Sequence, residues 1–213
     1  MKKIFVRWFL LLVATSLMTS CAGPDAKKVK FFNKGKVLYE KADYVKAKLE
    51  FKNAVQIDPK FADPYRMLGL IDMKEGNFRG AYGLFSKAIE LNPADLDAHY
   101  QIGKLLLGAG QYDKSMEKAE LILKKDANHA DGMLLKGAVY IARKEFNIVI
   151  PFLEEVISKG VTKPDAYMLL SSAYFQKNDA VNAESVLNKG IAVNPKSVDM
   201  LMSLADLKIR SGN

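Results

Sequence analysis

Three prolines set the frame. Pro59 and Pro93 are 34 residues apart, and Pro59 and Pro195 are 136 apart, four periods without an insertion. The same step maps Tyr44, Ala47, Phe51 and Ala54 onto Phe78, Ala81, Phe85 and Ala88. Ala47, Phe51 and Ala54 stand at i, i+4 and i+7, which puts them on one face of a helix. A unit this short cannot bury its apolar face alone, so it must stack on its neighbours. The register divides the chain into repeats 28–61, 62–95, 96–129, 130–163 and 164–197, with 198–213 supplying the first helix of an incomplete sixth.

The second repeat is the fullest statement of the pattern: Tyr65, Leu68 and Gly69, then Gly76-Asn77-Phe78, then Ala81, Phe85, Ala88 and Pro93. A 34-residue helix–turn–helix unit with small and aromatic residues at these sites resembles the tetratricopeptide repeat. The resemblance implies an all-α fold, a right-handed superhelical solenoid of antiparallel helix pairs whose first helices line a concave face. The third repeat departs from the pattern. Ser115, Ala119 and Ile122 replace alanine, phenylalanine and alanine, so a large side chain is lost and a nearby small one grows.

Asp63, Asp97, Asp131, Asp165 and Asp199 recur at the second position of repeats two to six. Capping of each first helix explains that ladder, since aspartate satisfies free amides and the helix dipole there. Asp63-Pro64 reads as an N-cap followed by an N1 proline. Gly76 suits a left-handed helix end. Pro151 is tolerable if its helix begins near Asn147, where the first amides have no internal partner. The sixth helix carries Met200, Leu201, Met202, Leu204, Leu207 and Ile209, apolar nearly all round. It reads as the front of a longer array, or as an end that a partner covers.

Residues 1–20 read as a signal peptide. A basic start, Lys2, Lys3 and Arg7, precedes an apolar run from Trp8 to Met18, too short for a bilayer span of about 20 residues. It ends at Leu17-Met18-Thr19-Ser20-Cys21, which resembles a bacterial lipobox. The resemblance implies cleavage before Cys21 and a covalent lipid on its thiol. With Ala22 next, it implies a periplasm-facing protein held on the outer membrane in preference to the inner. Residues 21–27 form a short tether, and Lys27, Lys28 and Lys30 could touch anionic head groups. Of the net charge of +8, +5 lies in the first thirty residues, so the repeat body lacks the basic surface of a nucleic-acid binder.

No catalytic motif, phosphate loop or metal-ligand spacing is present, so no enzyme activity and no cofactor are expected beyond the lipid on Cys21. His99 falls on a packing site and His129 in a turn between repeats. What remains is a surface. The inward sites of the first helices are Phe32, Lys36 and Tyr39; Arg66, Leu70 and Met73; Tyr100, Lys104 and Leu107; Leu134 and Ile141; Met168 and Phe175. Together they would form an amphipathic groove for a protein or peptide partner; part of the stripe could equally be core or be covered by later turns. The lipobox with Phe51-Lys-Asn-Ala-Val-Gln-Ile-Asp-Pro59 is similar to the repeat lipoproteins that accompany exosortase-type sorting. The expected function is a membrane-anchored scaffold for an envelope export, sorting or biogenesis complex. Pilus or secretin assembly and a regulatory arm of an envelope enzyme are the alternatives.

Overall fold

The computed structural model describes residues 23–211. Residues 1–20, read as a signal peptide, and Cys21 lie outside them. The described chain is all-α: α1 (Pro24–Glu40), α2 (Tyr44–Ile57), α3 (Ala62–Lys74), α4 (Phe78–Leu91), α5 (Leu96–Gly108), α6 (Tyr112–Lys125), α7 (Ala130–Ala142), α8 (Phe146–Ser158), α9 (Pro164–Gln176), α10 (Ala180–Val193) and α11 (Val198–Ser211). These are the antiparallel helix pairs of a repeat solenoid, in two compact units. One holds α1–α4 and the other α5–α11.

The sharp turn inside each pair needs one left-handed residue. Gly76 and Gly110 provide it at φ 77° and 73°, whereas Ala42, Lys144 and Asn178 adopt it at 58°, 60° and 64° despite their β-carbons.

Helix pairs close where a small residue on the first helix meets a large one on the second. In the first unit Phe51 lies over Gly35 and Phe85 over Gly69. A β-carbon at those glycines would stand 2.6 and 2.7 Å from the rings. In the second unit Leu153 lies over Gly137. The third repeat shows where its volume went. Ile122 fills against Gly132, and Leu135 of the next first helix covers Gly103 in place of the missing aromatic ring. The two serines in this seam are buried but satisfied: Ser115 Oγ donates to Gly103 O at 2.8 Å, and Ser171 Oγ donates to Ala183 O at 2.9 Å.

Three local expectations need correcting. The recurring aspartates are not N-caps. The first helices begin two residues earlier than the motif suggested, so Asp63, Asp97, Asp131, Asp165 and Asp199 sit second in their helices. The capping positions are Phe61, Asp95, His129 and Lys163 for α3, α5, α7 and α9; of these, Asp95 accepts from Ala98 N and His129 Nδ1 from Gly132 N. The aspartates still face the positive helix end. Pro64 is accordingly the third residue of α3, not the first. Pro151 is the sixth residue of α8, beyond the free amides, so it is a true interior proline.

Candidate functional site

The first-helix sites are best followed unit by unit. In the first unit, Phe32 is half-buried, its ring 5.8 Å from Phe51 and 5.1 Å from Phe61. Lys36 arches over it, Nζ 5.8 Å from the ring centroid. Tyr39 packs edge-on against Tyr44 at 5.3 Å, and burial, then Tyr44, raises its phenol pKa above the usual value. Leu70 rests on the core of Ala47, Phe51, Met67, Leu68 and Ile71. Arg66 reaches Asp63 at 3.5 Å on its own helix, and Met73 is half-buried. Here aromatic and aliphatic side chains rooted in the core offer an outer edge to solvent, with cations above them.

In the second unit Tyr100 is half-buried beneath Lys104, whose Nζ is 5.5 Å from the ring centroid. Desolvation pushes the Tyr100 phenol up to about 12, and the carboxylates of Asp131 and Asp165 add to the shift. The phenol therefore stays protonated at neutral pH and can act as a hydrogen-bond donor on an acidic rim. Asp131 is partly neutralised by Lys163, 2.6 Å away. Leu107 and Ile141 are half-buried.

Leu134 does not belong to an open face. It is 3% exposed, inside the core formed with Val149, Leu153, Tyr167 and Leu170. Met168 and Phe175 are partly roofed by α11. Ser203 Oγ lies 3.5 Å from Met168 Sδ, and the Arg210 guanidinium stacks 4.6 Å from the Phe175 ring centroid. Between α9 and α11 remains a cleft of about 170 Å³ lined by both residues together with Ser172, Asp206 and Arg210. Small-molecule sites are usually about 300–1,000 Å³, so this space suits a single side chain. The polar members on α11 were not foreseen. Their only signal was the i, i+4 spacing of Asp206 and Arg210, which puts both on one side of that helix.

Lys28, one of the three lysines that could touch lipid head groups, is held by Asp25 at 2.7 Å and Asp58 at 2.6 Å. Those hydrogen bonds, Asp25 first, raise its pKa. Among the described residues no group of three histidine, cysteine, aspartate or glutamate side chains could hold a metal ion. No helix among them is long and apolar enough to cross a membrane.

Models of the tetratricopeptide repeat match residues 72–139 and 164–197. The chain belongs to the tetratricopeptide repeat family. Among curated proteins it is 27% identical over 135 residues to Protein CTR9 homolog of Arabidopsis thaliana, covering 62% of this chain and 12% of that one. It is 22% identical over 213 residues to DnaJ protein P58IPK homolog B of Oryza sativa subsp. japonica, covering 93% and 45%. The chain thus spans less than half the length of these relatives.

Solved tetratricopeptide structures match more evenly. TTC0263 of Thermus thermophilus gives a TM-score of 0.74 at 16% identity, covering 85% of this chain and 99% of that one. PilW, described as a widely conserved type IV pilus biogenesis factor, gives 0.75 at 17%, covering 87% and 86%. YrrB, described as a TPR protein with an unusual peptide-binding site, gives 0.57 at 17%, covering 81% and 89%. At these identities the likeness is one of fold. Tetratricopeptide repeats are protein-interaction modules, and this chain is a scaffold of that kind.

Proposed function

We propose that the chain is a lipid-anchored scaffold whose first-helix face receives an apolar peptide segment in an envelope export, sorting or biogenesis complex. The observation that carries the binding part is the repeated pairing of a half-buried ring with a lysine above it, Phe32 with Lys36 and Tyr100 with Lys104. Each pair offers an apolar anchor point with a cation beside it, suited to a segment that inserts side chains and places carbonyl or carboxylate oxygens at the rim. Leu70, Met73, Leu107 and Ile141 extend the apolar part within their own units. Methionine adapts to varied surfaces.

The anchor rests on Cys21 at the end of the apolar leader, which places the repeats on the periplasmic side of a bacterial membrane, by preference the outer one. A second reading, pilus biogenesis, is supported by the fold likeness to PilW and differs only in the complex served.

A crosslinked pull-down from solubilised membranes tests the face, comparing the native chain with a Leu70→Ala, Tyr100→Ala variant of matched stability. Loss of a specific envelope partner with the variant supports the proposal. Recovery of the same partners by both would move the binding surface elsewhere.

A further inference from the structure

The third residue of a repeat is where its first helix leans on the repeat before it. Pro64, Ala98, Gly132, Ala166 and Met200 are all buried at that site, Gly132 against Ile122 and Met200 beside Gly190. On α1 the site is Lys30, and it is exposed. It belongs to a row. Lys27, Lys30, Lys34 and Lys41, the last just past the helix end, follow at steps of three, four and seven residues. They therefore share one side of α1 over about 21 Å. Val37 sits among them, 50% exposed. Lys34 is paired with Glu50 of α2 at 2.6 Å. Lys27, Lys30 and Lys41 meet no carboxylate among the described residues. A row of lysines cannot be buried as the third site is elsewhere, so neither another repeat nor a second copy of this chain suits this face.

Charge and position point to the occupant. Residues 23–91 hold 14 lysines and arginines against 9 aspartates and glutamates, whereas residues 92–211 hold 15 against 15. The excess positive charge of the described chain is thus confined to the unit that carries the row. Cys21 lies three residues before Pro24, at most about 10 Å of extended chain. A lipid on Cys21 would hold the start of the row about one Debye length from the head groups.

We propose that the Lys27, Lys30, Lys34 and Lys41 side of α1 rests on the anionic surface of a phospholipid bilayer. The helix lies along the head groups, with its ammonium groups among the phosphates and Val37 turned toward the acyl boundary. Phe32 stands roughly 200° around the helix from Lys30 at 100° per residue, so its ring points away from the bilayer and stays open to a partner. The place of this contact rests on the anchored reading above. Its chemistry does not, since the attraction needs no lipid on Cys21.

The chain from Cys21 to Asn213 with Cys21→Ala carries every described helix and no lipid. It is sedimented with vesicles of phosphatidylethanolamine, with and without phosphatidylglycerol. Binding is expected only where phosphatidylglycerol is present and should fall as salt is raised, so the contact orients the chain rather than holding it. Each lysine at such a surface is worth about fivefold in partition, so Lys30→Gln with Lys41→Gln should weaken binding about 25-fold. Lys124→Gln with Lys125→Gln, exposed in the last turn of α6, should leave it unchanged. Trp8 lies outside this chain, so an introduced tryptophan reports alone. Val37→Trp should be quenched by phosphatidylglycerol with brominated acyl chains, and Phe32→Trp should not.

Absence of binding, equal binding to both kinds of vesicle, or an equal loss on substituting Lys124 and Lys125 would overturn the proposal. Quenching of Phe32→Trp in place of Val37→Trp would do the same. Binding to soluble polyglutamate but not to vesicles would give the row to an acidic protein and overturn the assignment to a bilayer. Any of these leaves the lipid anchor standing, because the chain tested carries no lipid; that reading fails on membrane fractionation of Cys21→Ala instead.

Discussion

At Gly69 a β-carbon would stand 2.7 Å from the Phe85 ring, which is itself fully buried. Alanine normally gains about 1 kcal/mol over glycine inside a helix, yet here overpacking of about 1–3 kcal/mol opposes it. Gly69→Ala should therefore lower stability in a urea melt, and Phe85→Leu added to it should recover part of the loss, because the end of a leucine, which stands at the corresponding site over Gly137, can move aside where a ring cannot. A melt unchanged by the first substitution would mean that the ring can withdraw. His99 gives a different residue-scale effect. Burial holds its imidazole below 6.5, while Nε2–H donates to Pro93 O at 3.3 Å. The unfolded chain takes up a proton below about pH 6.5 that the folded chain refuses, so stability falls as pH drops below 6.5 and stops falling once the folded imidazole titrates. His99→Gln should flatten that slope below pH 6.5. Asp43, Asp58 and Asp179, held below their usual 3.8 by hydrogen bonds from Lys46, Lys28 and Asn182 respectively, lose their contribution only at lower pH.

Elements were legible to within two residues because the buried stripe and the turns are written in the period itself. Gly76 was expected in a left-handed turn and is found there, and the Ala–Phe–Ala faces are buried as the helical spacing requires. The aspartate ladder misled because aspartate is favourable both as a cap and one or two residues inside a helix, and composition does not separate the two. His129, which does cap α7 through Nδ1, carries no such signal in the sequence. Pro151 misled for a related reason: a helix start cannot be fixed by the proline it is meant to excuse. It lies at the sixth residue of α8, where it withholds an amide from the carbonyl four residues earlier. Since the ring is exposed, Pro151→Ala should restore that bond with little loss of packing. A gain of about 1–2 kcal/mol is expected, less than the full interior-proline cost because alanine also loosens the unfolded chain. A urea midpoint that falls would show that the helix is packed around its kink.

On the scale of the whole molecule, the period predicts which side of each helix faces inward but not which inward sites a neighbour covers. Leu134 went to the core because adjacent first helices meet there. Met168 and Phe175 are partly roofed because α11 follows them with Ser203 and Arg210 at the right height. Coverage depends on side-chain volumes one repeat away, and a register alone does not contain them. On the proposal that the molecule is held at a membrane, what holds it there is a question of comparable magnitudes. No described helix can span a bilayer. A lysine near an anionic surface contributes about 1 kcal/mol, and of the tether-side lysines Lys28 is already engaged by Asp25 and Asp58. Lys27 and Lys30 alone would give an attachment that salt removes. Two or more acyl chains on Cys21 would instead anchor the chain stably. Cys21→Ala should therefore move the protein from the membrane pellet to the soluble fraction in detergent-free buffer, while the native chain stays in the pellet through a high-salt wash. If the variant pellets as firmly as the native chain, the lipid is not the anchor. If both are released by salt, the basic tether is the whole attachment.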